Sequence, residues 1–141
     1  MSRTIPEKLR ASVARRAGYC CEYCLMHEDD LVLSAQIDHI ISIKHEGPTE
    51  PGNLAYSCLI CNTNKGSDIA TVFLPDEKLV RFFNPRKDRW SDHFALLEGR
   101  ILAKTEIGEA TAKMLDFNTP ERILRRRLLT EVGRYPGKNP A

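Results

Sequence analysis

Cys58-Leu59-Ile60-Cys61-Asn62-Thr63-Asn64-Lys65 sets a cysteine pair directly ahead of two carboxamides and a lysine. Upstream, Cys21-Glu22-Tyr23-Cys24 repeats the Cys-x-x-Cys spacing. Between the pairs lie Gln36-Ile37-Asp38-His39-Ile40-Ile41 and, further on, Asn53. Each pair lets two sulfurs converge on one ion, and two pairs complete the tetrahedral shell of a closed zinc site. Structural zinc on Cys21, Cys24, Cys58 and Cys61 is therefore expected. A redox dithiol, an iron site and unliganded buried cysteines are the other readings. Cys20 falls outside the pairing and reads as a small buried apolar residue, with a shift of the pairing onto Cys20 left open. The long stretch between the pairs implies a folded insert.

Asp38 and Asn62 are hard oxygen donors of the kind magnesium prefers. The imidazole of His39 titrates near neutrality and can take a proton from water. Neutralising phosphate charge and activating water are the two demands of phosphodiester hydrolysis. A single histidine is more often structural, but the surrounding set favours chemistry. His27, His45 and His93 lack such company and read as exposed or packing residues.

The 141 residues suit one domain, or one domain with an extension. No apolar run approaches the roughly 18 residues of a membrane span. Met1-Ser2-Arg3-Thr4 opens no apolar leader. A cytoplasmic location follows as the expectation, and reduced cysteines there favour metal over disulfides. Net charge is only +2, but its distribution is uneven. Arg3, Lys8, Arg10, Arg15 and Arg16 make the first 20 residues basic. Glu22, Glu28, Asp29 and Asp30 make the next stretch acidic, and Arg122, Arg125, Arg126, Arg127, Arg134 and Lys138 return the balance to basic. Such clusters are either solvated helix faces or contacts to an anionic partner.

Thr4-Ile5-Pro6-Glu7 reads as a capping box, followed by a helix with Ile5, Leu9 and Val13 on one face and Gly18 at its end. Leu31-Val32-Leu33 and Ala35 to Ile41 read as strand, with Ile37 inward and Asp38 on the opposite face. A short helix is expected from about Cys61 to Gly66. Phe73 to Pro85 reads as extended or irregular. Phe94–Leu97 and Arg100–Ala103 suit a hairpin across Glu98-Gly99. Two helices follow: one from about Glu106 to Phe117 with Ile107, Thr111, Met114 and Leu115 inward, and one from Thr119-Pro120 with Leu124, Leu128 and Val132 inward and Gly133 at its end. The Pro- and Gly-rich tail from Arg134 reads as loose.

Taken together, these residues resemble the HNH endonuclease family. Arg16-Ala17-Gly18-Tyr19-Cys20-Cys21-Glu22-Tyr23-Cys24 is similar to its opening segment, and Gln36 to Ile41 to the strand bearing its first histidine. Gly52-Asn53-Leu54 matches its central asparagine, and Cys58 to Lys65 its final motif, with Asn62 in place of the second histidine. Phe83-Asn84-Pro85-Arg86, Trp90 and His93-Phe94 are similar to an extension in some members. His45-Glu46-Gly47 departs from the paired glycines common there, and Ser42 from a common proline.

The resemblance implies an α+β chain with a ββα-metal core stapled by a four-cysteine zinc site. It covers roughly residues 10–70, and the expected division is a nuclease domain over residues 4–90 and a mainly helical extension, a hairpin plus two helices, over 91–141 packed on it. It implies a DNA endonuclease with His39 as general base, Asp38 and Asn62 holding one Mg2+ or Mn2+, and Asn53 holding the loop and orienting His39. Lys65, Arg15, Arg16, Arg125 and Arg126 are the candidate DNA contacts. No membrane partner is expected, and a protein partner or homodimer is left open. The first rival reading is an inactive zinc-stapled nucleic-acid-binding module, and the second a protein-interaction zinc domain that uses the C-terminal helices.

Overall fold

β1 (Gln36–His39) and β2 (Leu54–Ser57) form an antiparallel ribbon with His39 opposite Leu54 and Gln36 opposite Ser57. They come from a computed structural model that describes residues 4–140. Met1 to Arg3 and Ala141, with the expectations placed on them, lie outside the described residues. Alternation gives the ribbon two faces. Leu54, Ile37 and Tyr56 pack with Ile5, Leu9 and Val13 of the N-terminal segment. Asp38, Ile40 and Ala55 are buried, and Ile40 and Ala55 join the main core.

That N-terminal segment forms α1 (Glu7–Arg16), with Glu7 in the first turn and Arg15 and Arg16 in the last. Charges in those positions suit the helix dipole. Pro6, not Thr4, stands at the cap, without a side-chain hydrogen bond. The expected capping box is corrected: proline's fixed φ starts the helix instead. Gly18 and Tyr19 both take positive φ and turn the chain toward the first cysteine pair.

α2 (Leu59–Lys65) follows β2 directly and packs on β1, completing a ββα unit. It starts two residues before the expected position because Cys58 is its cap: the Sγ accepts from Cys61 N. Leu31 to Leu33 is not a strand, and Val32 and Leu33 are exposed. The stretch from Phe73 to Pro85, expected to be extended or irregular, supplies the second strand of a hairpin of β3 (Ala70–Phe73) and β4 (Lys78–Arg81), which begins three residues before it.

After the short α3 (Trp90–His93), β5 (Phe94–Leu97) and β6 (Arg100–Ala103) make the expected hairpin. Glu98 and Gly99 take the positive φ values its turn needs. α4 (Glu106–Met114) is capped by Thr105, and α5 (Pro120–Glu131) by Thr119 with Pro120 in its first turn. The three ribbons are separate two-stranded sheets, so the chain is α+β. Phe94, Ile101, Ala110, Leu115, Phe117 and Tyr135 share one buried cluster with Tyr23 and the paired cysteines. Each such large side chain contributes roughly 1.5–3 kcal/mol on burial.

Two expectations for the C-terminal segment are corrected. Leu124, Leu128 and Val132 of α5 are exposed, whereas Arg126 is 1% exposed. Arg126 Nε donates to Gly99 O at 2.7 Å and Nη2 to Phe117 O at 2.6 Å. An arginine with a long apolar stem and well-placed carbonyl acceptors can occupy a core position that leucine periodicity would claim. The tail is also tied down: Tyr135 Oη donates to Cys24 O at 2.7 Å, and Gly137 N to Leu25 O at 2.9 Å.

Candidate metal centre and catalytic site

Cys21, Cys24, Cys58 and Cys61 are all buried, and their sulfurs lie within 4.8 Å of one another. Sulfurs on a tetrahedron of zinc–sulfur bonds of about 2.3 Å would stand about 3.8 Å apart. Cys24 Sγ and Cys58 Sγ are 3.8 Å apart, too far for a disulfide. Cys24 N and Cys61 N each donate to the first sulfur of their own pair at 3.4 Å. These amides favour charged sulfur, as metal-bound thiolates require. The four-cysteine cluster thus fits structural zinc. Burial pushes the Cys21 and Cys61 thiols up. Hydrogen bonding from the other sulfurs pulls Cys24 down, against the same burial. Cys20 is buried outside the group, and its Sγ donates to Gly18 O.

The catalytic candidates sit on the neighbouring ββα unit. Asn53 closes the loop between the strands: its Oδ1 accepts from Ile41 N, and its Nδ2 donates to Ile41 O and Pro48 O, each at 2.9 Å. Gly47 lies under this brace, where an added Cβ would stand 1.7 Å from Ile41 O. Glu46 takes the left-handed conformation, φ 65°, that a second glycine would adopt without strain. Ser42 has φ −64°, within proline's range, and its hydroxyl is buried without a hydrogen-bond partner. Both departures from the family pattern therefore keep the backbone that glycine and proline would favour.

His39 Nε2 lies 3.0 Å from Thr49 Oγ1, across the same loop. Asp38, one residue earlier, faces the interior. Tyr23 Oη donates to its Oδ2 at 2.7 Å, and Lys65 Nζ stands 3.3 Å from both carboxylate oxygens. Burial pushes the Asp38 carboxyl up, with Lys65 and Tyr23 opposing. Lys65 Nζ also donates to Ile40 O at 3.0 Å and His39 O at 3.4 Å. Asn62 is half-buried on α2, three residues before Lys65 and so on a neighbouring part of the same helix face.

Asp38 is therefore brought together with Tyr23 and Lys65, while His39 is directed to Thr49. Sequence reasoning misses Tyr23 and Thr49. Tyr23 carries a signal in its place inside the first cysteine pair, and Thr49 carries none. Among the described residues, no second group of three or more His, Cys, Asp or Glu side chains comes together. The oxygens of Asp38, with the nearby carbonyls, suit a hard divalent ion in kind, but the Lys65 ammonium lies among them.

The candidate DNA contacts divide. Arg15 is exposed. Arg16 uses its guanidinium on Pro51 O and Leu54 O, bracing the loop. Arg125 donates to Asp30 O at 2.6 Å, although the residue is exposed. Lys65 and Arg126 are corrected: both are buried and bound to internal acceptors, so neither presents a cation at the surface.

Residues 21–68 match the family model described as HNH endonuclease. The HNH segment runs from Cys21, the first of the paired cysteines, to just beyond Lys65, and so takes in Asp38, His39, Asn53, Asn62 and all four paired cysteines. No curated protein and no solved structure matches the chain. No helix among the described residues is long and apolar enough to cross a membrane.

Proposed function

We propose that the chain is a cytoplasmic, metal-dependent DNA endonuclease. The observation that carries this reading is the HNH match, which spans the whole candidate constellation. HNH nucleases act on nucleic acid, and this supports a nucleic-acid partner. Residues 4–90 would form the nuclease domain and 91–141 an extension packed on it. His39 takes a proton from the attacking water, with Thr49 holding its ring. Asn53 holds the loop that carries both. Asp38 and Asn62 would hold one magnesium or manganese ion, which when bound supplies charge neutralisation at the scissile phosphate. Zinc on the four cysteines maintains the fold and takes no part in the reaction. Arg15 and Arg125 remain the candidate backbone contacts.

The rival reading, an inactive zinc-stapled nucleic-acid-binding module, draws support from one observation. The Asp38 carboxylate is buried and already neutralised by Lys65. Incubation with plasmid DNA and magnesium or manganese separates the two. Nicking or linearisation that His39→Ala abolishes supports the nuclease. DNA binding without cleavage in either metal supports the module.

A further inference from the structure

We propose that Arg122 is a positioning residue of the four-cysteine centre, and that it clamps the C-terminal helices to the metal site. This rests on the zinc reading above. Thr119-Pro120 opens α5 and sets Arg122 in its first turn. Arg122 Nη2 donates to Cys61 Sγ at 3.1 Å and reaches Cys58 Sγ at 3.9 Å. Nη1 donates to Leu115 O at 2.9 Å and Asp116 O at 3.0 Å. One planar fork therefore bridges the second cysteine pair and the backbone leaving α4. The guanidinium also stands 5.8 Å from the Phe117 ring centroid.

The chemistry explains the residue type. Four thiolates around one divalent ion leave an anionic centre, and a buried anion needs compensation. Arginine supplies charge and directed donors together, whereas lysine supplies a point charge without the fork. The first cysteine pair is held from the same segment through Tyr135 on Cys24 O and Gly137 on Leu25 O. Both halves of the centre are thus gripped by residues beyond the HNH segment. Groups that bind a ligating atom from outside fix its orientation and basicity, and their loss typically costs about 10–100-fold in metal affinity.

The test uses the full chain purified with zinc, its metal content measured first. Zinc transfer to a chromogenic chelator is timed for the wild type, Arg122→Gln, Arg122→Lys and the exposed control Arg127→Gln. Cobalt-substituted samples report the sulfur-to-metal charge-transfer band. The expected result is about 10–100-fold faster release and a shifted band in Arg122→Gln, a smaller change in Arg122→Lys, and none in Arg127→Gln. A purely structural role at the α4 end would lower the melting temperature and leave the cobalt band in place, which overturns the proposal. Should Arg122→Gln fail to fold, Arg122→Lys carries the test, and wild-type release with a wild-type band overturns the proposal. A wild-type protein without zinc overturns the zinc reading itself, a distinguishable failure.

Discussion

The Lys65 ammonium lies 3.3 Å from both carboxylate oxygens of Asp38, and neither side chain is more than 4% exposed. Removing one partner of such a pair strands the other, typically at a cost of about 3–5 kcal/mol. Lys65→Ala should lose stability on that scale in urea denaturation. If a divalent ion can reach Asp38, millimolar magnesium should raise the melting temperature of Lys65→Ala more than that of the wild type. Equal shifts would remove Asp38 from the candidate metal ligands.

His39→Ala should lower cleavage by about 10²–10⁴-fold, the usual worth of a general base. Thr49→Val, which removes the hydroxyl beside Nε2, should give a smaller loss. Zinc content and melting temperature should stay near wild type in both. Cleavage at the wild-type rate by His39→Ala would exclude it as the base.

Arg126→Gln should destabilise the protein, because its donors hold Gly99 O and Phe117 O in the interior. Arg15→Gln should leave stability within about 0.5 kcal/mol, as exposed sites usually do. It should also flatten the salt dependence of DNA binding by about 0.9 in log–log slope if one phosphate contact is lost. Thermal melts and binding titrations across salt concentrations check the two. An unchanged slope would place the DNA path away from α1.

Acid should weaken the hairpin β3–β4. Asp88 accepts from Arg81 Nη1 at 2.8 Å, Arg81 Nη2 at 2.9 Å and Asn84 N at 2.8 Å. The Arg81 hydrogen bonds hold its carboxyl below the usual 3.8, with burial opposing. The unfolded chain therefore takes up this proton first as pH falls. The stabilisation is complete above pH 3.8 and disappears as pH drops through the lowered folded value. Arg81 is half-exposed, so solvent screening limits the effect to about 1 kcal/mol. Asp88→Asn should be less stable at neutral pH and lose less on acidification, as stability curves at several pH values would show.

Ser42→Pro should raise stability by about 0.4–1 kcal/mol, since φ is already suitable and the buried hydroxyl has no partner to lose. A lower denaturation midpoint would show that Ile41 cannot adapt to a following proline.

Local signals are readable from the chain alone. The two Cys-x-x-Cys pairs, the Glu98-Gly99 turn and the Thr119-Pro120 start each depend on neighbours a few residues apart. The partners of buried polar groups are not readable in this way. Asp38 meets Tyr23 and Lys65, and Tyr135 meets Cys24, through tertiary contacts that no periodicity records. The inner face of α5 escapes the pattern because its leucines repeat at helical spacing while the interior offers carbonyl and sulfur acceptors. Those acceptors select Arg126 and Arg122. A Pro- and Gly-rich tail likewise reads as loose until Tyr135 is seen to have a buried partner.

Trp90 is the chain's one tryptophan, and its Nε1 donates at 2.8 Å to the carbonyl of Tyr23, inside the first cysteine pair. Its indole is buried against Phe94, with ring centroids 4.9 Å apart. Intrinsic fluorescence is therefore a single-site optical probe wired to this pair. Any event that loosens the pair, whether chelation, thiol oxidation or heat, should register as a change in emission wavelength without an added label.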